Sequence, residues 1–174
     1  MSKYAFSPSG VERHFNDDEV IVSKTDLKGK ITYGNEVFLR ISGYPENQIV
    51  GAPHSILRHP WMPRCIFKLL WSRIESGQEI FAYVVNMAYG GDHYWVFAHV
   101  TPTFGAGGEP VGYHSNRRKP SKSQVETISA LYRQLLEIEQ RNDDRRVGLE
   151  RSDAKLREML SQRKSGYDEF IFSV

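Results

Sequence analysis

The chain is short of cysteine, of long apolar runs and of net charge. Cys65 is the single cysteine among 174 residues, which excludes an internal disulfide and removes the zinc-finger and dithiol chemistries that need paired thiolates. No charge-free apolar stretch reaches the length of a bilayer-spanning helix, and the start Met-Ser-Lys-Tyr leads into no apolar signal-peptide core. The expectation is a soluble, cytoplasmic protein without a membrane span. With 23 Lys and Arg against 21 Asp and Glu, the net charge of +2 supplies no overall field for nucleic acid. The basic run Arg117-Arg118-Lys119 reads as the solvated end of a strand. There is no nucleophile with an evident base and orienting partner, and no glycine-rich phosphate loop, so an enzyme is not expected. The six histidines have no i,i+4 pair of the kind that builds a helical zinc site.

What is present suits one globular domain with an appendage: 40% hydrophobic and 12% aromatic residues. Residues 1–18 read as a polar N-terminal cap. Val20-Ile21-Val22 and Ile31-Thr32-Tyr33 then form short strands around the turn Asp26 to Gly29. Asn35 caps a helix carrying Val37, Phe38 and Ile41, and Gly43 stops it. Pro45, Pro53, Pro60 and Pro63 allow only single helical turns in between. A longer helix follows Pro63, with Ile66, Phe67, Leu70, Trp71 and Ile74 at helical spacing up to Gly77. Three strands come next: Ile80 to Ala88, His93 to Phe104 after the Gly90-Gly91 turn, and Val111 to Asn116. Strands bracket the helices instead of alternating with them, which makes the fold class α+β.

After Pro120 the chain turns charged and helical, with Val125, Ile128, Tyr132 and Leu135 in 3-4-3 spacing. The same heptad continues through Glu139, Asn142 and Arg146, so the region is either one helix with a polar middle or two helices broken around Asn142 to Gly148. Its apolar stripe serves a homodimer seam or covers the sheet within the chain. The apolar tail Tyr167 to Val174 is expected to dock.

The order of elements is similar to a PAS domain. Ser42-Gly43-Tyr44, Leu57-Arg58-His59-Pro60, Met62-Pro63, Gly91 to Val96 and Gly112-Tyr113 resemble the flavin-binding sensor PAS domains of bacterial aerotaxis transducers. The resemblance implies a five-stranded antiparallel sheet with short helices on one face over 19–119, followed by a helical output or dimerisation segment over 120–174. It implies a flavoprotein redox sensor that holds FAD, with FMN or haem as alternatives, and that reports redox or oxygen state to a chemoreceptor or histidine kinase in chemotaxis signal transduction. The cofactor residues it implies are Arg58, His59, Trp71 and Asn86, with His114 at the position where the light-sensing LOV branch has a glutamine. Period-2 alternation lets His114 face the same pocket as Asn86. The family's acidic residue between His-Pro and Met-Pro is Trp61 here, and its basic stretch after the strand asparagine is Met87-Ala88-Tyr89. Trp71 also reads as core and Asn86 as a residue satisfying a strand edge. Asp92 and His93 read as serving the hairpin turn. A haem gas sensor ligated by His54, His59 or His114, and a cofactor-free interaction module, remain the other function classes.

Overall fold

The computed structural model describes residues 6–174, so the first five residues of the expected N-terminal cap lie outside the described residues. The elements run β1 Ile21–Thr25, β2 Ile31–Gly34, α1 Glu36–Ser42, α2 Glu46–Ile49, a 3-10 turn His54–Leu57, α3 Arg64–Glu75, β3 Ile80–Met87, β4 His93–Phe104, β5 Pro110–Arg118, α4 Lys122–Gln140, α5 Arg145–Gln162 and α6 Tyr167–Ser173. They divide into two compact units. One holds the chain up to Pro60 with Arg73–Pro120, and the other holds Trp61–Ser72 with Ser121–Val174.

The first unit is built on a five-stranded antiparallel sheet in the order β2-β1-β5-β4-β3. Asn35 joins its first hairpin to α1. The Asn35 carboxamide oxygen accepts from Phe38 N as an N-cap and from Val22 N on β1, both at 3.0 Å, and its Nδ2 donates to Val20 O at 2.8 Å. Strand pairing is continuous from Ile80↔Val100 to Met87↔His93 and from Phe97↔Arg118 to Thr103↔Gly112. Because side chains alternate across a strand, this register places Ile80, Ala82, Val84 and Asn86 on one face. Tyr94, Val96, Ala98, Ser115, Arg117, Ile21 and Ser23 share that face. It is the inner face, against which Phe38 of α1 and His54 of the 3-10 turn pack. His114, Asn116, His99 and Phe97 lie on the other.

Ahead of β1 the chain runs as a strap along the β3–β4 turn. Ser9 N donates to Gly91 O, His93 N to Val11 O and Arg13 N to His93 O. Gly91 has φ +100°, and a Cβ there would run into the carbonyl oxygen of Ser7, so only glycine allows this approach. Asp92 accepts from Ser9 Oγ at 2.7 Å and from Arg13 Nε at 2.9 Å, while Arg13 also donates to the carbonyls of Ile41 and Tyr89. Asp92 therefore fastens the strap in addition to completing a turn.

The second unit resolves the ambiguous heptads into two helices. α4 ends at Gln140 and Asp144 caps α5, accepting from Arg146 N at 2.7 Å. The break falls at Arg141 to Asp144, where the stripe turns polar. Ile128, Leu131, Tyr132 and Leu135 are buried, as are Leu156 of α5 and Tyr167, Phe170 and Ile171 of α6. The apolar tail thus forms a short helix of its own.

Glu139 continues the buried stripe as a carboxylate. One oxygen accepts from Arg64 N at 3.1 Å and Arg64 Nε at 2.9 Å; the other accepts from Cys65 N at 3.1 Å and Ser152 Oγ at 2.9 Å. It serves as the anion at the amino end of α3, where free N–H groups and the helix dipole favour negative charge. Beside it α5 approaches α4 through Gly148, where a Cβ would stand 2.7 Å from Glu139 O. Burial pushes the adjacent Cys65 thiol up to about 12, which leaves it a protonated thiol. Glu139→Ala strips four donors of their acceptor and is expected to destabilise the protein by about 3 kcal/mol. Urea unfolding of the two proteins reads the difference, and a shift under about 0.5 kcal/mol, the scatter of neutral surface changes, contradicts the clasp.

Candidate functional site: a donor-rich cluster under the sheet

Between the inner face and the 3-10 turn lies a group of polar side chains with few partners. Arg117 is 4% exposed on β5, which pairs with β1 and β4. Its NH2 donates to Ser23 Oγ at 2.8 Å and to His54 Nε2 at 2.8 Å, and its guanidinium lies 5.8 Å from the centre of the Phe38 ring. No carboxylate among the described residues pairs with it, and its NH1 is buried without a hydrogen-bond partner. Burial lowers the Arg117 pKa to about 10, so the group is still a cation at neutral pH.

Since the guanidinium only donates, His54 Nε2 must be the acceptor, which fixes the ring as neutral with its proton on Nδ1. Burial first, then the charges of Arg117 and Arg58, lower the His54 pKa to about 3. Across the sheet Asn86 and Tyr94 are directly opposed on β3 and β4. Burial raises the Tyr94 pKa; the Arg117 charge and, more weakly, the neighbouring Asn86 amide hold it down. Neither Asn86 Nδ2 nor the Tyr94 hydroxyl completes a hydrogen bond, and the hydroxyls of Ser115 and Tyr44 are buried without partners as well. Arg58 reaches the cluster through a backbone bridge to Asn86. His59 is fully buried, with its ring 5.6 Å from that of His93, and burial followed by the His93 charge lowers its pKa to about 4.

The family described as the PAS fold matches residues 31–117. The chain is a member of the PAS family. Among curated relatives the chain is 35% identical over 119 residues to the aerotaxis receptor of Escherichia coli, a match over 68% of this chain and 23% of that one. It is 31% identical over 104 residues to the nitrogen fixation regulatory protein of Klebsiella pneumoniae, 60% of this chain and 21% of that one. The chain thus spans under a quarter of the length of these two relatives. Among solved structures, the light-state structure of the blue-light photoreceptor Aureochrome1 LOV superposes with a TM-score of 0.57 at 24% identity, covering 63% of this chain and 88% of that one. That likeness supports the five-stranded antiparallel α+β fold.

Of the five residues singled out in the sequence, the PAS sheet and its 3-10 turn bring Arg58, His59 and Asn86 together. Trp71 stands on the part of α3 that belongs to the second unit. His114 does not share the face of Asn86: it is on the opposite face of β5, where its Nε2 lies 3.0 Å from Asn116 Oδ1. Alternation holds along β5 in the opposite phase, so Ser115 and Arg117 face the cluster. Arg117, expected as a solvated strand end, and Tyr94 were missed; counting inward by twos from Tyr113 would have found Arg117. Among the described residues no three His, Cys, Asp or Glu side chains could hold a metal ion, and no helix is long and apolar enough to cross a membrane.

A histidine kept neutral by its fold makes stability depend on pH with a fixed sign. As pH falls below about 6.5 the unfolded chain protonates His54, while the folded chain resists to about 3. The unfolded state then binds more protons, and stability present above pH 6.5 is lost at up to about 1.4 kcal/mol per pH unit. His59 adds to the slope over the upper part of that window, down to about 4. Urea unfolding between pH 7 and 4.5 is expected to show a smaller acid loss in His54→Gln than in the wild type. Equal slopes would contradict the assignment.

Proposed function

We propose that the inner face of the PAS sheet holds a flavin, with FAD the first choice from the aerotaxis likeness and FMN the second, and that the domain reports redox or oxygen state through the helical segment after Pro120. The observation that carries this reading is the set of buried donors left without acceptors: Arg117 NH1, Asn86 Nδ2, and the Tyr94 and Ser115 hydroxyls. Leaving such groups unpaired costs about 1–3 kcal/mol each, a cost that an acceptor-rich ligand removes. The pyrimidine edge of an isoalloxazine, with its carbonyl oxygens and ring nitrogens, is such a ligand and fits the donor set. Bound there, flavin supplies reversible uptake of electrons. Asn86 offers both a donor and an acceptor to the ring edge, and the Arg117 cation stabilises negative charge next to it. Arg58 is suited to a phosphate and His59 to a neutral polar contact. Trp71 enters through the family likeness, as a stacking face. The haem alternative needs His54, His59 or His114 as axial ligand, and it has less to draw on because His54 Nε2 is engaged by Arg117 and His114 Nε2 by Asn116, which leaves His59.

In this reading residues 19–119 are the sensor and 120–174 the output segment, which assembles as a homodimer and passes the signal to a chemoreceptor or histidine kinase in the cytoplasm. The domain acts as a sensor rather than an enzyme. Chromophore released from the purified chain is expected to be flavin, and chromatography tells FAD from FMN. Protein that carries no flavin and takes up neither when added overturns the reading. Asn86→Ala is expected to weaken flavin retention about fivefold, the equivalent of about 1 kcal/mol for one polar contact.

β5 carries Ser115 and Arg117 and is joined to α4 through Lys119 and Pro120. A change in the charge that Arg117 faces alters its sharing between ligand, Ser23 and His54, and so acts on the strand that leads into the output helix. Hydrogen-exchange protection over residues 110–135 is expected to differ between oxidised and reduced protein. Identical protection would exclude this route.

A further inference from the structure

The second unit contains a hollow that the sensor reading does not use. It lies between α4, α5 and α6 and has a volume of about 260 Å³. Its floor is apolar: Leu131, Leu156 and Phe170 are buried, and Met159 and Leu160 are half-buried. The rim is formed by Thr127, Ala130 and Gln134, which are exposed on α4. Thr127 and Gln134 are seven positions apart, so the hollow runs for about 10 Å along the helix. Arg163 closes it from the link between α5 and α6. The Arg163 guanidinium rests on the Phe170 ring, 5.1 Å from its centre, and among the described residues no carboxylate pairs with it.

An apolar trough edged by Arg163, which has no carboxylate partner among the described residues, matches one kind of molecule: a short apolar chain that ends in an anion. A neutral hydrocarbon would leave the cation unused, and a polar anion would leave the trough unfilled. The volume exceeds the ~150 Å³ of a cavity that takes benzene and falls just below the ~300 Å³ where drug-sized pockets begin, which suits a medium-length chain. Met159 adds an unbranched thioether that adapts to chain length. We infer that this hollow is a binding site for a medium-chain carboxylate, its chain lying on Leu131, Leu156 and Phe170 and its carboxylate paired with Arg163. Because the site is built from α4, α5 and α6, its ligand acts on the proposed output segment directly, whatever the sheet binds.

Decanoate and decanol, titrated into the full chain and followed by calorimetry and by the Met159 methyl resonance, test the site. Decanoate is expected to bind saturably at one site, about tenfold more tightly than decanol, the effect of one charge-assisted pair. Arg163→Gln is expected to remove that tenfold advantage while leaving decanol unchanged. Ala130→Phe, a change on the exposed rim, is expected to abolish both without altering thermal unfolding. The inference is overturned if neither probe saturates below about 1 mM, or if Arg163→Gln leaves the ratio unchanged. It is also overturned if Ala130→Phe alters the sedimentation of the ligand-free protein and decanoate does not, since the trough then belongs to a second copy of the chain. The readout is independent of flavin content, so this result and the flavin test stand or fall apart.

Discussion

A guanidinium that keeps its proton at neutral pH sits under the middle of the sheet with no counter-ion among the described residues. Taking such a charge out of water costs several kcal/mol after relaxation, and the first unit is arranged to offset that cost with neutral groups. Ser23 on β1 and His54 on the 3-10 turn accept from Arg117, while Phe38 on α1 offers its ring face. Each comes from a different element, so a single side chain ties β1, β5, α1 and the 3-10 turn to one point. The constraint is reciprocal. His54 must be neutral to accept, and the charge that needs it is one reason it stays neutral.

The second unit meets the opposite problem with a different solution. Glu139 is a buried carboxylate, and four donors from α3 and α5 fill its lone pairs. Little is left for a ligand there, which is the mark of a structural charge. Arg117 retains a nitrogen without a partner, and Asn86, Tyr94 and Ser115 around it retain further unspent donors. One buried charge is thus saturated by its neighbours and the other is not.

Much of the fold was legible because local chemistry and global pattern agree. Asn35 and Gly43 bracket α1, Gly90-Gly91 turns β3 into β4, and the prolines after Gly43 break the chain into short turns. The failures have physical causes as well. Alternation along β5 gives the period of a strand and not its phase. Val111 falls at the register shift between β4 and β5 and is exposed, whereas Tyr113 is buried; hydropathy alone therefore left the phase open. The inward set also ends in an arginine, the residue type least expected inside. His114 was drawn to the pocket by a resemblance, and the β1–β5–β4 register sends it to the other face. In the C-terminal region Ile128, Tyr132 and Leu135 of the heptad are buried, but the pattern could not tell a polar gap from a helix end. Asp144 decides that locally, as the cap of α5.

The position of Arg117 along its strand has a mechanical consequence. On an edge strand, a residue that exchanges partners can be absorbed by fraying. β5 has neighbours on both sides, with Ser23 and Ser115 opposed across β1–β5 and Ala98 and Arg117 across β4–β5. A shift of the guanidinium toward or away from Ser23 therefore loads two ladders at once, and packed ladders answer by changing between discrete arrangements rather than by stretching. The free end of β5 is the end that continues into Lys119, Pro120 and α4. The capping box at Ser121 and Gln124 holds the first turn of α4.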